Sequence, residues 1–263
     1  MPHFASADGI DIAYQDWGAD ASAAQATTLP PVVLHHGFIA DATVNWVGPG
    51  VGAALVRAGR RVIALDARGH GASGKPHDPS SYGEEKMAAD LRRLFDLISG
   101  AEQVDLVGYS MGAAVALLVA SQDARVRRLV VGGVGAGIAD PDVLRARVAV
   151  RGAIAAALRA PDAESIQDPR AARFRRLADV VPGADREALA ACAEMSFSSS
   201  IPFTQISAPT LLLVGEADPL AERPEILAAA IPHAELRRIA GDHLSAVTNP
   251  AFAPAIVDFL GVA

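Results

Sequence analysis

The chain has 263 residues, 51% of them apolar and 20% charged, with a formal net charge of −7. That balance excludes a disordered chain, which combines low hydrophobicity with high net charge. It also speaks against a nucleic-acid partner, because no basic stripe stands out. The nearest cluster, Arg170, Arg173, Arg175 and Arg176, lies in a stretch with as many acidic as basic residues and reads as a solvated helix face. The single cysteine, Cys192, forbids an intrachain disulfide and reads as a small packed residue in a reducing compartment. No basic segment followed by an apolar run opens the chain. The longest apolar runs, such as 129–139, fall short of the roughly 18–20 residues that span a bilayer. These features predict a soluble, cytoplasmic protein without membrane insertion.

In chain order, Phe4 to Ser6 and Ile10 to Trp17 flank Asp8-Gly9, a tight-turn pair, and predict a hairpin. A polar loop over 18–30 follows. Short apolar runs then recur at Val32–Leu34, Val62–Leu65, Val104–Val107, Leu129–Val131 and Thr210–Val214, with a weaker one at Leu236–Ile239. Continuous apolar runs suit strands buried on both faces, hence a parallel sheet between helix layers. Between them, Met87, Leu91, Leu94, Phe95 and Ile98 form one helical stripe. Ala113 to Ala120 is apolar all round, as in a buried helix. Ala251 to Leu260 reads as a terminal helix introduced by Pro250. The alternation predicts an α/β fold with right-handed crossovers.

The alternation stops between Ile138 and Gln205. This stretch is rich in Ala and Arg, and Pro141, Pro161, Pro169, Pro182 and Pro202 divide it into short helices. It reads as an insertion over the sheet rather than an independent domain. The predicted division is a core of 1–137 and 206–263 with a helical cap at 138–205. Met195, Phe197, Ile201 and Phe203 near the end of the insertion are candidates for the site wall or, more plainly, for core packing.

The strongest chemical signal is Gly108-Tyr109-Ser110-Met111-Gly112, between a predicted strand and a predicted helix. Gly-x-Ser-x-Gly in that setting is a nucleophile elbow: a turn too tight for flanking side chains, presenting the serine hydroxyl at a helix N-terminus. The plain alternative is a glycine-rich turn with an ordinary serine. A serine needs a base. In a doubly wound sheet that base comes from a loop at the carboxyl ends of the strands. Of seven histidines, His243, in Gly241-Asp242-His243 after the last strand, fits best. His233 precedes that strand, His35 and His36 belong to another motif, and His70 is a minor rival. Asp218, in Gly215-Glu216-Ala217-Asp218-Pro219, is the candidate to orient the base. Glu216 is its neighbouring rival, and Asp242 adjoins the histidine but should diverge from it. The order Ser110, Asp218, His243 is the one expected of this arrangement. Backbone N–H groups of Met111 and Phe38 are the candidate oxyanion donors, the second assigned from its position in His35-His36-Gly37-Phe38. The run Asp66-Ala67-Arg68-Gly69-His70-Gly71-Ala72-Ser73 predicts a folded turn held by internal hydrogen bonds.

On these residues, from His36-Gly37-Phe38 to Gly241-Asp242-His243, the chain resembles the α/β-hydrolase superfamily. The resemblance implies an eight-stranded, mostly parallel sheet with a helical cap between strands six and seven. It implies the same triad and oxyanion roles. Haloalkane dehalogenases and epoxide hydrolases resemble the chain too but carry aspartate at the elbow, so Ser110 disfavours those activities. The reading is a serine hydrolase acting on a small-molecule substrate with a carbonyl centre (an ester, thioester or lactone), with no metal or organic cofactor and no stated oligomeric state. The same triad would serve a carbon–carbon bond hydrolase or a cofactor-free perhydrolase or haloperoxidase. A receptor that kept a hydrolase fold without catalysis is the alternative of another class.

Overall fold

The computed structural model describes residues 1–18, 29–98, 102–195 and 200–261, and over 141–149 the helix alone. The loop expected at 18–30 lies almost wholly outside the described residues, as does Phe197. The chain opens with β1 (His3–Ala5) and β2 (Asp11–Trp17), the expected hairpin. Then come β3 (Val32–His35), α1 (Val51–Arg57), β4 (Val62–Leu65), α2 (Glu84–Leu97), β5 (Val104–Tyr109), α3 (Met111–Gln122) and β6 (Val126–Gly132). Three helices follow without a strand: α4 (Pro141–Arg159), α5 (Pro169–Val180) and α6 (Arg186–Met195). The chain closes with β7 (Thr210–Gly215), α7 (Pro224–Ala230), β8 (Ala234–Ile239) and α8 (Phe252–Leu260).

The strands form one eight-stranded sheet in the order β1-β2-β4-β3-β5-β6-β7-β8. The first two pairings, β1 with β2 and β2 with β4, are antiparallel and the rest are parallel. Alternate residues of each central strand enter opposite cores. Val33, Ile63, Leu106, Leu129 and Leu212 pack with α2 and α3, whereas Val32, Val62, Val107, Val130 and Leu211 pack with α1 and α8. Burial on both faces is why these strands read as unbroken apolar runs.

Two helices, α1 and α7, are only seven residues each, too short for a full apolar stripe to stand out, although Pro224 and Glu225 mark the start of α7. β8 is an edge strand, only half-buried, which explains its weaker pattern. One expectation is corrected. Arg170, Arg173 and Arg176 are exposed on α5, but Arg175 is buried, bonded to the Asp179 carboxylate and the Pro161 carbonyl. Its position four residues before Asp179 on one helix face made that pairing possible. Cys192 is buried, and Met195, Ile201 and Phe203 pack against the main core. Among the described residues no helix is long and apolar enough to cross a membrane.

Candidate active site

Every central parallel strand ends at the same rim of the sheet, and the turns that leave it carry the polar residues singled out from the sequence. Between β5 and α3 the chain reverses within one residue. Ser110 takes φ 54° and ψ −111°, a left-handed conformation that costs a non-glycine residue roughly 1–3 kcal/mol. The flanking glycines are required by contact. A Cβ on Gly108 would lie 2.3 Å from the Gly112 carbonyl oxygen, and one on Gly112 would lie 2.1 Å from that of His35. The Ser110 N–H donates to Gly132 O at 2.8 Å, tying the turn to the end of β6.

His243 stands on the turn after β8. Asp242 builds that turn: its Oδ1 accepts from the Leu244 and Ser245 N–H groups and the Ser245 hydroxyl. Those bonds, chiefly from Ser245, hold the Asp242 carboxyl down at about 2. Its carboxylate is thereby spent away from the imidazole, as adjacency in sequence suggested. Asp218 leaves the end of β7 with its side chain fully buried. Its Oδ1 accepts from Leu220 N–H at 2.8 Å, and its Oδ2 lies 2.8 Å from His243 Nδ1. His243 Nε2 lies 3.0 Å from Ser110 Oγ. Since a carboxylate only accepts, Nδ1 carries the proton and Nε2 offers its lone pair to the hydroxyl. Glu216, the rival acid, is exposed.

Tyr109 makes a contact in the candidate site that the sequence reading missed. Its hydroxyl donates to the His243 carbonyl at 2.7 Å and its ring lies against the imidazole, centroids 5.3 Å apart. The middle position of Gly-x-Ser-x-Gly is unconstrained in the motif, so only the fold reveals that contact.

The segment after β3 is fixed peptide by peptide. His36 Nε2 accepts the Ala67 N–H at 2.9 Å, so Nδ1 carries the proton and donates to Gly37 O at 2.8 Å. That carbonyl belongs to the same peptide unit as the Phe38 N–H and points opposite to it. The Gly37 N–H is taken by Asn45 Oδ1 at 2.9 Å. Among the described residues neither the Phe38 nor the Met111 N–H has an acceptor in the chain. Gly37 lies in a tight approach, since a Cβ there would lie 3.3 Å from Ser110 Cβ.

The turn at 66–73 supports this segment. Asp66 accepts from Ala42 N–H and Ala72 N–H at 2.9 Å each, and Ser73 Oγ donates to Asp66 O. A Cβ on Gly71 would collide with the Asp66 carboxylate. Arg68 is bonded to both Asp90 and Asp8. His35, His36 and His70 cluster behind the segment, wholly enclosed. Burial lowers the pKa of all three, to about 3 for His35 and His70, so they stay neutral.

The helices between β6 and β7 reach the same rim. Ile39 packs with Ala155, Leu158, Ala178, Leu189 and Ala193 from α4, α5 and α6. The Phe38 and Phe174 rings meet at 6.1 Å, and the next-door Arg173 lies 3.6 Å from Asp242. One turn of α5 therefore touches both the segment after β3 and the histidine turn. Among the described residues no cluster of three or more His, Cys, Asp or Glu side chains is set to hold a metal ion.

A family model described as alpha/beta hydrolase fold matches residues 30–149. Over nearly the whole chain the structure is similar to the enol-lactonase from Burkholderia xenovorans LB400, with a TM-score of 0.74 and 27% identity, covering 98% of this chain and 99% of that one. It is also similar to a thermophilic esterase from Thermogutta terrifontis, with a TM-score of 0.75 and 26% identity, covering 99% and 98%. In sequence it is 43% identical to the sn-1-specific diacylglycerol lipase ABHD11 of Mus musculus over 107 residues, 40% of this chain and 32% of that protein. The matched stretch spans about a third of the length of the first curated relatives.

Proposed function

Since the chain belongs to the α/β-hydrolase superfamily, we propose that it is a serine hydrolase that cleaves a small ester, thioester or lactone through an acyl-enzyme on Ser110. The observation that carries this reading is the unbroken line of hydrogen bonds from Asp218 through His243 to Ser110, at 2.8 and 3.0 Å. An esterase and an enol-lactonase among the structural neighbours support carbonyl hydrolysis as the chemistry.

In this mechanism His243 Nε2 takes the hydroxyl proton as Ser110 Oγ attacks the substrate carbonyl carbon. The carbonyl electron pair moves onto oxygen, and the Phe38 and Met111 N–H groups receive that charge. Asp218 stabilises the imidazolium and holds its tautomer. Collapse expels the alcohol or thiol, which takes the proton from His243. Water then attacks the acyl group, His243 acting as base, and the acid leaves with Ser110 restored. Segment 138–205 acts as a cap over the core of 1–137 and 206–263, bringing apolar side chains of α5 to the rim. A cytoplasmic setting goes with this reading, because the lone Cys192 asks for no oxidising compartment.

The test is a turnover panel of p-nitrophenyl esters, thioesters, lactones and vinylogous diketones with wild type and Ser110→Ala. Multiple turnovers on esters, thioesters or lactones, lost in the variant, are expected. Turnover confined to the diketones would move the chemistry to carbon–carbon cleavage, and no turnover dependent on Ser110 would end the proposal.

A further inference from the structure

Asn45 lies outside the proposed relay, yet it makes a direct hydrogen bond to the backbone beside Ser110. It sits in a wide turn, Thr43–Val47, and is 4% exposed. Its own N–H donates to Asp41 O at 3.0 Å, and the nearby Ala42 N–H is held by Asp66. The turn is thus anchored independently of the site. From it, Asn45 Oδ1 accepts the Gly37 N–H. The amide orientation is dictated, since the opposite one would set a donor against a donor. A Cβ on Gly37 would be 3.6 Å from this oxygen and 3.3 Å from Ser110 Cβ, so the Gly37 backbone lies between the two side chains with little room to spare.

We propose that Asn45 is a positioning residue for the oxyanion site: by accepting the Gly37 N–H it fixes the segment against Ser110 and leaves Phe38 as the donor that faces the tetrahedral intermediate. The inference rests on the hydrolase reading above. An apolar side chain at this position would leave the Gly37 N–H without its acceptor. What the amide supplies is direction to a peptide, and catalysis by fixed dipoles depends on direction.

The experiment compares wild type, Asn45→Leu and Asn45→Ser. It measures kcat and KM on p-nitrophenyl butyrate, the inhibition constant of an aryl trifluoromethyl ketone, which binds as an oxyanion, the Gly37 amide exchange rate by NMR, and Tm. For Asn45→Leu, kcat should fall about 10- to 100-fold with KM nearly unchanged, and ketone affinity should weaken in step. Gly37 exchange should accelerate. Should Asn45→Leu fail to fold, Asn45→Ser is read the same way, with a smaller fall in kcat at constant KM. An unchanged kcat, or a loss that follows only the folded fraction while ketone affinity per active site holds, overturns the proposal. Wild type without Ser110-dependent turnover would bring down the hydrolase reading together with this one. Ser110-dependent turnover with unaffected Asn45 variants would remove this one alone.

Discussion

Ser110 is held in a conformation that only close packing on both sides sustains, and its neighbours show what that demands. Gly112 faces the His35 carbonyl with no room for a methyl group. Gly112→Ala should therefore shift or unfold the turn, read as loss of soluble protein or a lowered urea midpoint. Asp218 is the residue whose proposed role depends least on charge and most on tautomer. Asp218→Asn would donate to His243 Nδ1 and turn the proton to the wrong nitrogen. A fall in kcat on the order of 10⁴-fold is expected, with little change in folding. A loss below about tenfold would remove Asp218 from its role. Tyr109→Phe tests the missed contact: losing one hydrogen bond to the His243 carbonyl should cost about 1 kcal/mol in urea unfolding.

At the scale of elements, α5 couples the helices between β6 and β7 to the rim. Asp168 caps it, accepting the Arg170 and Ala171 N–H groups, and Pro169 opens its first turn. Asp168→Ala should cost about 1 kcal/mol. The loss should appear first as faster amide exchange along α5, before any change in the sheet, because helix packing here is carried by small side chains. The helical character of 138–205 was legible from its prolines and lack of strand pattern. Its contacts were not: nothing in 138–205 announces that Phe174 meets Phe38 or that Arg173 meets Asp242, since these join segments over a hundred or nearly seventy residues apart. Arg175 shows the same limit, because charge on a helix was read as exposure and burial is decided by what packs above it.

For the whole molecule, two buried polar features bear on stability. At the end of the sheet away from Ser110, Asp105 is fully buried and bonded to Arg60 and Arg127. Asp105→Ala would leave the Arg60 guanidinium buried without its counter-charge and should cost about 3–5 kcal/mol in urea unfolding. The enclosed His35, His36 and His70 make the second. Their folded pKa values lie below the unfolded value near 6.5, so below about pH 6.5 the unfolded chain binds protons that the folded one refuses. Stability is then fully present above pH about 6.5 and is lost as pH falls toward 3. Each histidine contributes a slope of up to about 1.4 kcal/mol per pH unit. Urea titrations between pH 7.5 and 4.5 should show this decline, and a flat profile would mean that the cluster opens to protons without unfolding.

The sequence alone determined the strand series, the long amphipathic and buried helices, and the tight turn at Gly108–Gly112. Each depends on interactions within a few residues: period, burial on two faces, and the steric need for glycine beside a reversed serine. It also narrowed the polar candidates, because a strand's carboxyl end can be read once the strand is found. Only the tertiary structure decided which candidates meet. Ser110 and His243 lie 133 positions apart, and their 3.0 Å separation comes from β5 and β8 ending at one rim of a twisted parallel sheet. The same packing brought Asn45 to the Gly37 N–H and the Tyr109 hydroxyl to the His243 carbonyl. Neither contact leaves a period or spacing in the sequence around it.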